Sequence, residues 1–362
     1  MPGSLSLRKK LGQLFFIGID GARVDEQTRK LLDEISPGGV CLFTRNIREA
    51  AQTRELTDAL RETSKTPLLL SVDQEGGLVD RLRRIMTPMP AANKVRSDGD
   101  ATELAAIIAE ALLQLGLNMD FAPVVDVIDE KRAAHTNGLF SREFGRSPDD
   151  VVSLAGAFLT ELQKGGVVGC LKHFPGLGAS TIDSHEELPS VDLSEAELDS
   201  TDLIPYKRLT NAARAVMVAH ATFPRHPLQE KDQHGKLLPS SLSFNFITKL
   251  LRERLGFNGL VITDDLEMGA IIKNYGVGDA CVRAINAGAD MLAICADPER
   301  IRAGYRSVIA AVEDGTISGE RIDAVTGRIA HAKSLLTEPP AFSADRFREL
   351  SDRTAALNAR LG

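Results

Sequence analysis

The sequence predicts an α/β protein: a single (β/α)8 barrel of the TIM type carrying a C-terminal helical strap. Three observations predict it: eight short apolar runs, helical periodicity in the stretches between them, and polar or titratable residues where five of the runs end. The runs occupy residues 13–19, 39–43, 68–72, 118–122, 167–171, 215–219, 260–263 and 291–295. Each is β-branched or continuously apolar, as a strand of a parallel sheet is when both faces are buried. Between them, residues 52–62, 101–115, 151–163, 244–254, 278–287 and 298–312 carry apolar side chains at helical spacing. Asp297 stands where the last of these needs an N-cap. Gly116, Gly165 and Gly166, Gly256 and Gly288 follow helical segments, where a left-handed residue closes the final turn. Eight strand–helix units suggest a closed barrel. The competing open, doubly wound sheet lacks its signature, because no G-x-G-x-x-G opens a helix after a strand. The pattern changes after Ile329. Pro339 and Pro340 break the chain, and 345–361 reads as a polar-faced terminal helix. Residues 1–336 are therefore assigned to the barrel and 337–362 to an extension packed on it.

Composition narrows the function. The chain has 362 residues, longer than a domain of about 100–200 residues, but one barrel absorbs that length. Apolar residues make up 43%, enough for a large core, and the net charge is −7 with both signs mixed throughout. That argues against nucleic acid as the main ligand. The basic residues at 8–10 before an apolar run imitate a signal peptide, yet Gln13 and Gly18 interrupt the run and Asp20 ends it. No run is long enough for a membrane helix. Four cysteines without a C-x-x-C pair read as buried thiols of a reducing compartment, so a cytoplasmic protein with no membrane partner is expected.

Chemistry on a parallel barrel gathers at the carboxyl ends of its strands. Asp73, Asp126, Lys172 with His173, His220, and Asp264 with Asp265 all stand there. Carboxylates accept hydroxyl protons and cations donate to hydroxyl oxygens, so this set suits a polyhydroxylated ligand. His173, His185 and His220 lie on separate segments without metal-ligand spacing, so neither a metal nor any other cofactor is expected. Two reactions remain open on residue types alone. Lys172 could form a Schiff base, or an Asp could attack an anomeric carbon while a second group moves the proton.

Longer motifs bear on that choice. Lys172-His-Phe-Pro-Gly-Leu-Gly-Ala-Ser-Thr-Ile-Asp-Ser-His185 resembles the signature loop of glycoside hydrolase family three, in particular its bacterial single-domain β-N-acetylglucosaminidases of cell-wall recycling. Asp73-Gln-Glu-Gly-Gly-Leu-Val-Asp-Arg81, Phe121-Ala-Pro-Val-Val-Asp126 with Arg142-Glu-Phe-Gly145, and Gly259-Leu-Val-Ile-Thr-Asp264-Asp-Leu-Glu-Met268 resemble three further motifs of that family, in the same order. The resemblance implies a retaining exo-β-N-acetylglucosaminidase that binds a small carbohydrate such as a muropeptide fragment. It implies Asp264 as nucleophile, an Asp183/His185 dyad as acid/base, and Asp73, Arg81, Arg142, Lys172 and His173 as the groups gripping the sugar. Asp126 and His220 are left between site and scaffold. Strand alternation should send Asp264 and Asp265 to different faces. His185 suits the proton-transfer role because imidazole titrates near neutrality, with Asp183 orienting it. The 176–188 loop, rich in glycine and small residues, is expected to move. Leu177 and Leu78 depart from the family pattern, which has His and Arg there. A phosphorylase, or a sugar-binding barrel with weakened catalysis, are the alternative functions.

Overall fold

The computed structural model describes residues 6–134, 138–184 and 186–362. Each of the eight apolar runs forms a strand: β1 (Phe15–Gly18), β2 (Gly39–Cys41), β3 (Leu69–Val72), β4 (Met119–Asp120), β5 (Val168–Phe174), β6 (Ala215–Val218), β7 (Leu260–Thr263) and β8 (Leu292–Ile294). All are buried along their length and paired in parallel, in the order β8-β1-β2-β3-β4-β5-β6-β7. The Thr263 N–H donates to the Met291 carbonyl at 3.0 Å, and Ile262 bridges Met291, so the two ends of the sheet meet and the barrel closes. Its interior is filled by side chains. Phe16 on β1 lies opposite Gly39 on β2, and a Cβ on Gly39 would fall 2.6 Å from the Phe16 ring. Glycine there is what admits the ring, which meets Phe121 edge-on at 5.2 Å.

The surrounding helices include α1 (Glu26–Ile35), α2 (Ala50–Thr63), α3 (Asp98–Gln114), α4 (Pro148–Lys164), α5 (Leu203–Leu209), α6 (Val277–Ala287) and α7 (Pro298–Glu313). Side chains of Asp25, Ser97, Ser147 and Asp297 accept backbone N–H groups at the starts of α1, α3, α4 and α7. Each such cap contributes about 1 kcal/mol. Two expectations change in detail. Gly165 stays right-handed at φ −68°, and it is Gly166, at φ +93°, that turns the chain after α4. The segment Asn245–Arg254 winds as a wider π-helix and ends with the Leu255 N–H on the Leu250 carbonyl, five residues back.

After α8 (Gly319–Ser334) the chain crosses the barrel exterior into α9 (Ala344–Leu361). Phe347, Leu350, Thr354 and Leu357 form its buried stripe against α3 and α2. Arg346 pairs with Glu110 of α3, and Arg360 reaches Asp100 at 3.1 Å. Among the described residues no helix is long and apolar enough to cross a membrane.

Candidate active site

Asp73 is the first residue after β3, and its carboxylate meets Lys172 Nζ at 2.7 Å and Arg81 Nη2 at 3.6 Å. A small antiparallel hairpin, Gln74–Gly76 against Val79–Asp80, brings Arg81 back beside Asp73. Its reversal needs Gly76 and Gly77, at φ +87° and +58°. Glu75, on the hairpin, accepts Lys172 Nζ at 2.6 Å and takes Arg142 in a two-pronged contact at 2.7 and 2.9 Å. Burial disfavours the Lys172 charge, but Asp73 and Glu75 outweigh it and hold the ammonium above the usual lysine value. Burial likewise opposes ionisation of Glu75, and Lys172 with Arg142 carries that carboxyl far below its usual value. Lys172 is therefore a fixed cation. A Schiff base needs a neutral amine, so the paired geometry removes the Schiff-base alternative. Asp120 at the end of β4 accepts the Gln74 N–H at 2.9 Å, and burial pushes its carboxyl well above the ordinary range.

β5 runs three residues further than its apolar run and carries Lys172 and His173 within it. His173 Nδ1–H donates to Asp126 Oδ2 at 2.7 Å, which leaves Nε2 for a ligand. Asp126 also accepts the Leu177 N–H at 2.7 Å. It is absent from the cavity wall, so it holds the ring and the loop after β5. That loop is threaded against the one after β4. A Cβ on Gly178 would fall 2.0 Å from the Val127 carbonyl, and one on Gly176 2.6 Å from Asp202 Cβ. Arg132 ties the two together, donating to the Val127 carbonyl at 2.9 Å and to Asp202 at 2.8 and 2.9 Å. Further along, the Ala270 N–H donates to the Ser184 carbonyl at 3.2 Å. These anchors bring Asp183 to the cavity wall, beside Gly138. His185, the other half of the expected dyad, lies outside the described residues.

Asp264 follows β7, with its N–H on the Val218 carbonyl at 3.0 Å and its Oδ1 accepting the Asp265 N–H at 2.8 Å. The expectation of opposite faces holds only in part, because both residues line the cavity. The carboxylate of Asp265 turns to the Glu267 N–H at 3.0 Å, and burial pushes it up to about 7. The strand has ended by then, so strict alternation no longer governs the pair. Both ring nitrogens of His220 are engaged: Nδ1 meets Ser241 Oγ at 2.7 Å and Nε2 donates to the Asp265 carbonyl at 3.0 Å. Met268 lines the wall.

The five expected grip residues, together with Asp183 and Asp264, surround one cavity of about 400 Å³ at the carboxyl end of the strands. That is within the range of small-ligand pockets, about 300–1,000 Å³. Sequence reasoning missed Glu75 and Asp120. Glu75 had a signal, because it sits two residues after Asp73 and so shares its face in an extended segment. Asp120 lies in the middle of the 118–122 run and was not singled out. Leu177 is buried in the cavity wall, whereas Leu78 projects from the hairpin turn, 67% exposed.

Comparison with known proteins identifies the family. Beta-hexosaminidases of Tolumonas auensis and Pseudomonas aeruginosa are 33% and 35% identical over 305 and 304 residues, covering 82% of this chain and 86% and 85% of theirs. A glycoside hydrolase family 3 β-N-acetylglucosaminidase structure from Paenibacillus sp. str. FPU-7 superposes with a TM-score of 0.88 at 36% identity, over 98% of this chain and 69% of that one. The β-N-acetylhexosaminidase of Beutenbergia cavernae gives 0.80 at 29% identity, over 91% and 99%. The glycosyl hydrolase family 3 N-terminal domain matches residues 6–332, and the chain belongs to that family.

Proposed function

We propose that the chain is a retaining β-N-acetylhexosaminidase that removes terminal N-acetylglucosamine from its glycosides. The observation that carries the reading is the convergence of Asp264, Asp183 and a fixed cation–carboxylate cluster on one monosaccharide-sized cavity. In this reading Lys172 and Arg81 donate to sugar hydroxyls while Asp73 and Nε2 of His173 accept from them. Asp264 attacks the anomeric carbon and forms a covalent glycosyl-enzyme. His185 gives its proton to the leaving oxygen and then takes one from the incoming water, with Asp183 holding the ring in orientation. The relatives' activity supports the reaction type, and the Asp183-Ser-His185 sequence supports an acid/base within the barrel. The test is hydrolysis of nitrophenyl N-acetylglucosaminide with and without inorganic phosphate. Release of free sugar in both cases is expected, with Asp264→Asn bringing it to the detection limit. Formation of sugar 1-phosphate marks a phosphorylase instead, and full activity in Asp264→Asn removes the assigned nucleophile.

A further inference from the structure

The amino end of the barrel, opposite the candidate active site, holds a second cavity of about 800 Å³. Gln13 before β1, Thr66 and Pro67 before β3, and one face of α8 enclose it. Lys333, in the last turn of α8, is half-buried in its wall. Its Nζ donates to Gln13 Oε1 at 2.6 Å. Gln13 Nε2 holds the amide in that orientation, donating to the Ser36 carbonyl at 2.7 Å and to Thr66 Oγ1 at 3.2 Å. Lys333 therefore faces a neutral oxygen. Among the described residues of the wall, the carboxylate is Asp323, ten residues earlier on α8 and so about 15 Å away along the helix axis. Lys10 takes that carboxylate at 3.5 Å, and Lys65, the remaining cation of the wall, meets Asp33 at 3.0 Å. Ile329 and Ala330, one turn back from Lys333, and Pro67 add apolar surface. Burial opposes the Lys333 charge with no carboxylate to restore it, and pushes the ammonium down to about 7. About half of it is then neutral at pH 7, against about one in 2,500 of an exposed lysine. Lys172 is the contrast, a buried amine held charged by two carboxylates.

We propose that Lys333 is a covalent modification site that takes uncharged aldehydes as imines. The lone pair of the neutral amine attacks the carbonyl carbon, and a proton passes from nitrogen to oxygen to give a carbinolamine. Loss of that oxygen as water leaves a C=N bond in place of C=O, with no oxidant or reductant consumed. The cavity has room for an aryl or alkyl body beside the amine. A charged aldehyde would lose water there without gaining a counter-ion, because the ions of the wall are already paired.

The experiment incubates the full chain with benzaldehyde or para-formylbenzoate in the presence of cyanoborohydride, whose hydride fixes the imine as a secondary amine. Peptide mass mapping then reads the label on each lysine. At pH 7, benzaldehyde is expected to label Lys333 about tenfold or more faster than any exposed lysine, a margin that narrows by pH 9 as the others lose protons. Ala330→Asp sets a carboxylate one turn from the amine at an exposed position. It is expected to cut labelling of Lys333 several-fold while the thermal midpoint and the labelling of other lysines stay unchanged. A label that favours exposed lysines at pH 7, prefers the charged aldehyde, or survives Ala330→Asp undiminished overturns the proposal. So does the absence of label at Lys333.

Discussion

Lys172 pairs with two carboxylates at once, and Arg142 closes the other side of Glu75, so the sugar grip is assembled before any ligand arrives. Such preorganisation costs desolvation, and removing one member leaves the others buried without compensation. Glu75→Gln is expected to lower stability by about 3 kcal/mol in urea unfolding at pH 7. Its folded-state pKa lies below the unfolded value, so the stabilisation is present above about pH 4.3 and fades as pH falls through the folded value. The gap between wild type and variant should therefore narrow in acid. Asp265 has the opposite sign. Burial pushes it up to about 7, so the folded state holds its proton longer than the unfolded state, and stability falls as pH rises from about 4 to 7. Asp265→Asn should flatten that decline, read as a smaller difference in unfolding midpoint between pH 5 and pH 8 than the wild type shows.

At the scale of elements, the strands were legible because a buried parallel strand needs little beyond a short apolar run, and the barrel supplied eight. The loops were less so. Nothing in the periodicity announces the 74–80 hairpin, since its strands are two and three residues long and its stability comes from Asp80 and Gln74. Asp80 accepts the Met89 N–H at 2.8 Å, and Gln74 Nε2 donates to Asp80 at 2.9 Å. Asp73, Lys172, His173 and Asp264 stood out at strand ends, Arg81, Arg142 and Asp183 only through the motifs, and all seven meet in one cavity. Asp120 stayed hidden because it lay in the middle of the expected 118–122 run, whereas the strand itself stops at Asp120. The loop after β5 was expected to move on account of its glycines, yet Gly178 serves close packing, with no space for a side chain before the Val127 carbonyl. Gly178→Ala should therefore push the Asp183 segment away from the cavity. A displacement near 1 Å costs about 10²-fold in turnover, so a loss of that order in kcat is expected with little change in thermal midpoint. Unchanged kcat would show that the loop re-seats freely.

For the whole molecule, α9 is joined to the site by a chain of contacts that begins outside the barrel. Ser351 Oγ accepts the Thr87 N–H at 2.8 Å, and Asn358 Nδ2 donates to the Pro88 carbonyl at 2.8 Å. The next residue, Met89, accepts the Gly77 N–H at 3.0 Å and gives its own N–H to Asp80. Those contacts fix the hairpin that carries Glu75 and returns Arg81 to Asp73. The strap therefore has two separable effects. Its apolar stripe supports the fold: Leu350→Ala, fully buried, should cost about 2–5 kcal/mol and lower the thermal midpoint. Its polar contacts brace the grip: Ser351→Ala/Asn358→Ala should leave the core intact and raise KM for nitrophenyl N-acetylglucosaminide several-fold. The effect on kcat should be smaller, because the hairpin holds sugar-binding groups and Asp264 stands just after β7, on another part of the barrel wall. A midpoint shift with KM unchanged would confine the strap to stability. A fall in kcat alone would mean that the disturbance reaches Asp264 by a route other than the hairpin.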